Sequence, residues 1–303
     1  MLQRFRRNKG LQLFSLISPG ALWILLFFNI PLLIVLFISF VERGRAGGIK
    51  LPPVYTLENY RQLFNACSSE FAGPACDPFL YIGIFGHSVR IALIVTLWCV
   101  LLGYPLSYFI SRRKPVWRDA LMVLVIIPFW TNFLVRTYAL KQVLATEGLL
   151  NSFFMGIGVI NQPLELLFNE FAVIVGLIYG YLPFAVLPMY ASIEKFDHSL
   201  MEAASDLGAP PWRAFLRIML PMTLPGVIAA LVLVFVPVVG AFITPDIMGG
   251  GKIEMIGTLI NRQFGVSRNW PFGSSMSLVL MLMVLIGVIA YFRSSKEETR
   301  RAM

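Results

Sequence analysis

Six stretches of this chain are apolar over the length that a bilayer core demands of a helix, about 20 residues at 1.5 Å each. They run approximately over 17–40, 86–110, 119–138, 171–192, 223–243 and 273–292. The sequence of 303 residues is 57% hydrophobic and 14% charged, whereas a soluble domain of this size carries about a quarter charged residues. The surplus apolar surface has to face lipid. The expected fold is all-α: a polytopic membrane protein with six transmembrane helices, forming one domain over 1–303 with no low-complexity linker. Pro31, Pro128, Pro183 and Pro237 fall inside the spans. Proline is tolerated there when neighbours or water satisfy the freed carbonyls, so kinks are expected at these positions.

The net charge is +9. Its basic residues sit between the apolar runs and form no contiguous basic domain, which argues against nucleic acid as a partner. Lys and Arg concentrate in alternate segments, among them Arg4, Arg6, Arg7 and Lys9, then Arg112, Arg113, Lys114 and Arg118, then Lys195, Arg213 and Arg217. The intervening segments hold fewer cations although they are longer in total. The positive-inside rule then orients the chain N-in and C-in, with 193–222 as a cytoplasmic loop. The first apolar run is longer than a signal-peptide core and no A-x-A site follows it, so it is read as a true first helix. Arg90 and Arg136, at span edges, are expected to snorkel to the outer interface.

The loop 193–222 parses into two short helices. Ser199 followed by Glu202 fits the S/T-x-x-E capping box, which would start the first helix. Gly208 supplies a residue that can take positive φ at its end. Pro210 and Pro211 suit the first turn of a second helix. That helix carries Trp212, Phe215, Leu216 and Met219 on one side, and Pro221 is expected to stop it before the next span. The run Glu202-Ala203-Ala204, three residues, Gly208, nine residues, Ile218-Met219-Leu220-Pro221 resembles the cytoplasmic coupling loop of ABC-importer permeases in every element and spacing. The resemblance implies the type I permease fold. It also implies that the elbow docks on a separate ATPase dimer, with Ser199, Glu202, Ala203, Ala204 and Gly208 at the coupling site. Capping of its own helix is the plain alternative role for Glu202, and the two are compatible.

Chemistry within the chain itself is sparse. No G-x-x-x-x-G-K-[ST] phosphate loop is present; at Gly249-Gly250-Gly251-Lys252, Ile253 follows the Lys and Asp246 occupies the first Gly position. His87 and His198 fall on opposite sides in this topology, so neither a catalytic pair nor a metal site is expected. The chain is read as a non-enzyme with no bound cofactor. The resemblance assigns ATP and Mg to partner subunits, and adds a second permease chain, an external (periplasmic or extracellular) substrate-binding protein, and a place in the bacterial plasma (inner) membrane.

The first outer loop, roughly 41–85, holds most turn residues. Within it Thr56–Phe64 reads as a short helix with Thr56 as N-cap, either interfacial or packed in the loop. Cys67 and Cys76 flank the Gly73-Pro74 turn. A disulfide closing the loop and two free thiols both remain open. Gly176-x-x-x-Gly180 would let the fourth span approach a neighbour closely.

Pro128-Phe129-Trp130-Thr131-Asn132, Val135-Arg136-Thr137-Tyr138, Ser192-Ile193-Glu194-Lys195 and Arg268-Asn269-Trp270-Pro271-Phe272-Gly273 are similar to permeases of spermidine/putrescine importers. In that family two different permeases pair, and this chain resembles the first. A polycation leaving water needs carboxylates, carbonyls or aromatic faces. Trp130, Asn132, Tyr138, Tyr181 and Asp246 are the candidates for its path. Asp246 beside Pro245 also fits a turn, and Trp130 and Tyr138 also fit an aromatic belt. Few carboxylates lie in the spans, so recognition is expected to be mainly external. A permease for another small organic solute shares much of the pattern. A secondary transporter would show internal repeats and intramembrane ionisable residues, neither of which stands out.

Overall fold

The computed structural model describes residues 9–68 and 77–301. In chain order the helices are α1 Lys9–Ile24, α2 Ile30–Ser39, α3 Glu58–Phe64, α4 Leu80–Ser111, α5 Pro115–Trp130, α6 Phe133–Leu144, α7 Leu149–Gly156, α8 Glu170–Glu194, α9 Ser199–Asp206, α10 Pro211–Ala214, α11 Leu220–Val239, α12 Ile243–Gly249, α13 Ile256–Phe264 and α14 Trp270–Arg301. Five segments are long and apolar enough to cross a bilayer: Leu16–Ser39, Leu80–Ser111, Glu170–Glu194, Pro211–Val239 and Trp270–Ile289. Pro115–Trp130 and Phe133–Gly156, bent by 95°, make a sixth if they are counted as one span.

Prolines shape these helices in three ways. Pro31 and Pro221 each follow a five-residue π turn, Leu25–Asn29 and Phe215–Met219, at the same two-residue offset. Proline lacks an N–H and crowds the carbonyl four residues back. The π turn widens the helix just before it, with Ile30 and Leu220 donating to the carbonyls of Leu25 and Phe215, five residues earlier. Pro221 therefore does not stop its helix, contrary to expectation. The run from Pro211 to Val239 is one continuous rod. Pro183 and Pro237 sit inside unbroken helices.

Pro128 takes the third route. The span expected over 119–138 breaks at Thr131–Asn132, where the backbone turns extended. The Pro128 carbonyl accepts Thr131 Oγ1 at 2.7 Å and an Arg136 guanidinium N–H at 3.0 Å. Asn132 caps α6, its Oδ1 accepting the Leu134 N–H at 2.8 Å. Arg136 is buried, with its guanidinium 5.3 Å from the Phe133 ring and 5.9 Å from that of Tyr179. It is a fastening for the break and does not snorkel.

The chain divides into two compact units. One comprises the described residues up to Tyr81 with Ile260–Ile286. Here α3 docks on the end of α2: Asn59 donates to the carbonyls of Ser39 and Val41 at 2.9 and 3.0 Å, and the Tyr60 hydroxyl lies 2.8 Å from Ser39 Oγ. Buried Asn59 and Leu63 make α3 a packed loop helix. The cap position is held by Leu57 and not by Thr56 as expected; Thr56, one residue earlier, accepts the Glu58 N–H on Oγ1 at 3.0 Å. Beside it, isolated bridges Val41–Tyr55 and Arg43–Ile49 form a small hairpin, which Arg43 and Gly48 tie to the carbonyls of Ser267 and Arg268. Asn269 then starts α14, with Phe272 buried against Tyr81 at 5.0 Å. The first span joins this packing at its end, through Ser39, while none of its most apolar window is buried.

The second unit, Ile82–Leu259 with the described residues from Gly287 onward, is organised by α8 and α11. They cross at Gly226, where an added Cβ would stand 2.7 Å from the Pro188 carbonyl oxygen and closer still to Ser192. Gly176 gives the same close approach to Thr244 and Met248 of α12, and Gly180 to Phe133. The G-x-x-x-G pair thus serves packing within this unit. Arg90, exposed at the edge of its span, has a carboxylate partner. Its guanidinium grips both oxygens of Glu170 at 2.5 Å, and His87 bridges Glu170 and the Glu254 carbonyl at 3.4 and 3.2 Å.

Candidate functional site

The segment after the fourth span forms a helical elbow. α8 ends at Glu194, and a short link leads to α9. The residue that starts α9 is Asp197. Its Oδ1 accepts the Ser199 N–H at 2.9 Å, while His198 occupies the cap position without a side-chain bond. The Ser199–Glu202 capping box expected from the sequence is not formed, because Ser199 is already the first helical residue. The Ser199 N–H, and then its hydroxyl, hold the Asp197 carboxyl below the ordinary carboxylate range.

α9 ends as a Schellman motif. Gly208 N–H donates to the Ser205 carbonyl at 2.9 Å and Ala209 N–H to that of Ala204 at 3.0 Å. The motif needs a left-handed residue, and Gly208 has φ of +80°. An added Cβ there would meet nothing within 4 Å, so the requirement is conformational and not steric. Pro210 then caps α10 with Pro211 as its first residue, and α10 runs through the π turn into the fifth span.

Burial sorts the residues of the elbow. Ala204 is packed inside, whereas Glu202, Ala203 and Ser205 are exposed. Leu207 at the tip is 88% exposed and Trp212 60%. The elbow therefore presents an apolar tip between two short helices. Behind it, the Tyr104 hydroxyl of α4 lies 2.7 Å from Thr223 Oγ1, which donates in turn to the Met219 carbonyl at 2.8 Å. The Tyr104 ring meets Phe215 edge-on at 5.6 Å. Beside the elbow, Arg118 of α5 pairs with Glu194 at 2.9 Å. Sequence reading passed over Asp197, Tyr104, Thr223 and Arg118 in these roles. Only Asp197 left a local signal, an Asp two residues before a helix start.

The candidates for a substrate path lie elsewhere. Trp130 stands 12 positions beyond Arg118 on the same helix, roughly 18 Å of rise away. It is 81% exposed. α5 packs on α8, where Phe129, Phe184 and Tyr181 form a ring series with centroids 5.0 and 5.9 Å apart. α6 packs on α8 and on α12, bringing the helix of Tyr138 beside that of exposed Asp246. Lys141 lies 5.9 Å from the Tyr138 ring and 5.5 Å from that of Phe168. Asn132 is committed to capping α6. Among the described residues no hydrogen bond or ion pair links Asp246 to Trp130, Asn132, Tyr138 or Tyr181. Cys67 sits on the short 3₁₀ turn Ala66–Ser68. Cys76 lies outside the described residues, and with it the choice between a disulfide and two free thiols. No group of His, Cys, Asp and Glu suited to a metal ion occurs among the described residues.

Residues 103–296 match the sequence pattern of the binding-protein-dependent transport system inner membrane component. This span begins beside Tyr104 and includes the whole elbow. The spermidine/putrescine transport system permease protein PotB of Haemophilus influenzae is 39% identical over 92% of this chain and 92% of that protein. PotB of Escherichia coli is 43% identical over 90% and 94%. In fold, the chain is similar to a subunit of a bacterial alginate ABC transporter solved with an alginate pentasaccharide-bound periplasmic protein. The TM-score is 0.75 at 16% identity, over 99% of this chain and 98% of that one. The helical fold, the elbow between two spans, and these relatives covering nine-tenths of the chain establish that it belongs to the inner membrane components of binding-protein-dependent transport systems.

Proposed function

We propose that this chain is one of two different permease subunits of an ATP-driven polyamine importer. It lies N-in and C-in, so that the elbow faces the ATP side. The observation that carries the coupling role is the continuity of the elbow with the fifth span. A displacement of α10 is a displacement of α11, since Pro211–Val239 is a single rod. A separate ATPase dimer meets the exposed Glu202, Ala203 and Leu207. Asp197, Ala204 and Gly208 hold those residues in place. ATP and Mg²⁺ are handled by that dimer, because this chain carries no phosphate loop.

Polyamine is the substrate class supported by the relatives, both of which are named for spermidine and putrescine. Exposed rings at Trp130 and Tyr138, the half-buried Tyr181 and the carboxylate of Asp246 are surfaces a hydrated polycation can use in passage. Arg136 and Lys141 stand among them, which disfavours a tight intramembrane polyamine site and favours recognition by an external binding protein. The test is uptake of labelled spermidine by the assembled complex in proteoliposomes, with binding protein outside and ATP inside. Uptake should require both and be competed by putrescine. Binding-protein-stimulated ATP hydrolysis with some other solute, and no polyamine uptake, would overturn the substrate assignment.

A further inference from the structure

α4 ends at Ser111 and α5 begins at Pro115, so the turn between them consists of three successive cations, Arg112, Arg113 and Lys114. All three are exposed. With Phe109, Trp117 and Leu121 they line a recess of about 600 Å³. Arg113 lies over the Phe109 ring at 4.0 Å. Pro115 holds Lys114 extended, with ψ of 149°, which keeps the turn open.

The carboxylates of Asp119 and Glu194 are already engaged by a fourth cation. Arg118 takes Glu194 at 2.9 Å and Asp119 at 3.6 Å. Among the described residues no ion pair engages Arg112, Arg113 or Lys114. Apolar surface adjoins this uncompensated charge, with Val116 80% and Trp117 66% exposed. The Arg118–Glu194 pair also fixes the turn at the same end of its unit as the elbow, where α8 leaves its span.

We infer that this turn binds the phosphate headgroup of an anionic phospholipid. Three cations supply charge for a phosphodiester, and Arg can engage it with two parallel N–H groups. Trp117, Phe109 and Leu121 cover the first methylenes of the acyl chains, the level at which tryptophan settles in a bilayer. A free phosphate or an acidic protein surface would satisfy the charges and leave the rings uncovered.

The test is native mass spectrometry of the full chain in neutral detergent, titrated separately with phosphatidylglycerol, phosphatidylcholine and inorganic phosphate. Phosphatidylglycerol should bind, phosphatidylcholine should not, and inorganic phosphate should fail to displace the lipid. R112Q/R113Q/K114Q should weaken phosphatidylglycerol by roughly a hundredfold, and R112K/R113K by no more than about threefold. If the triple variant does not fold, R113Q and K114Q singly should each cost about fivefold. Unchanged lipid affinity in these variants would overturn the site. Displacement by inorganic phosphate at matched concentration would reduce it to a generic anion contact and overturn the lipid assignment.

Discussion

The Tyr104 hydroxyl of α4 sits 2.7 Å from Thr223 Oγ1 of α11, in the interior directly behind the elbow. The same tyrosine ring packs edge-on against Phe215, in the π turn that joins elbow to span. One side chain thus fastens the second span to the base of the fifth at the point where the helix is widened. Tyr104→Phe removes one buried hydrogen bond, yet Thr223 keeps its bond to the Met219 carbonyl. The expected cost is about 1 kcal/mol. Tyr104→Ala also strips the ring from Phe215 and should cost about 3–5 kcal/mol. Thermal unfolding of the purified chain should rank wild type above Tyr104→Phe, and Tyr104→Phe well above Tyr104→Ala.

Gly226 and Gly208 make a controlled pair. At Gly226 an added methyl runs into the Pro188 carbonyl and Ser192, so Gly226→Ala must push α8 and α11 apart. A loss of about 1–3 kcal/mol is expected, as for overpacking in a core. At Gly208 there is space but an unfavourable φ, so Gly208→Ala should cost about 1 kcal/mol and Gly208→Asn less, since Asn tolerates that region. Melting temperatures should rise in the order Gly226→Ala, Gly208→Ala, Gly208→Asn.

Asp197 gives the elbow a dependence on pH. Its folded pKa lies below the unfolded value, through the Ser199 N–H and hydroxyl. Its contribution is therefore fully present above the ordinary aspartate pKa of about 3.9, and is lost as pH falls through the lower, folded value. Hydrogen exchange, corrected for intrinsic rates, should show amide protection across Ser199–Glu202 dropping as the solution is acidified into that range. Asp197→Ala should show the lower protection already at neutral pH. Equal protection in variant and wild type at neutral pH would remove Asp197 as the cap.

The parts of this structure legible in the sequence are those set by one dominant force. Apolar runs of bilayer length declare their helices, and Gly208 after an eight-residue helix declares the left-handed stop. What escaped was set by competition between near-equal local choices or by distant partners. Asp197 and Ser199 are both good caps, and only the backbone path decides between them. Pro221 reads as a stop unless a π turn precedes it. The break at Thr131–Asn132 lies within an apolar run that spacing alone reads as one span. It depends on buried Arg136 needing the Pro128 carbonyl. Arg90 finds Glu170, 80 residues away, which no local pattern encodes.

The central claim is that force enters through the elbow, and Gly208 tests it most directly. Valine is β-branched and is driven out of the left-handed region that Gly208 occupies at φ +80°. Uptake and ATP hydrolysis should be measured side by side on complexes carrying Gly208→Val and Gly208→Asn. The predicted result is that both complexes assemble. Gly208→Asn should retain most uptake, while Gly208→Val hydrolyses ATP without driving solute across. Wild-type uptake by Gly208→Val would contradict the elbow as the coupling element.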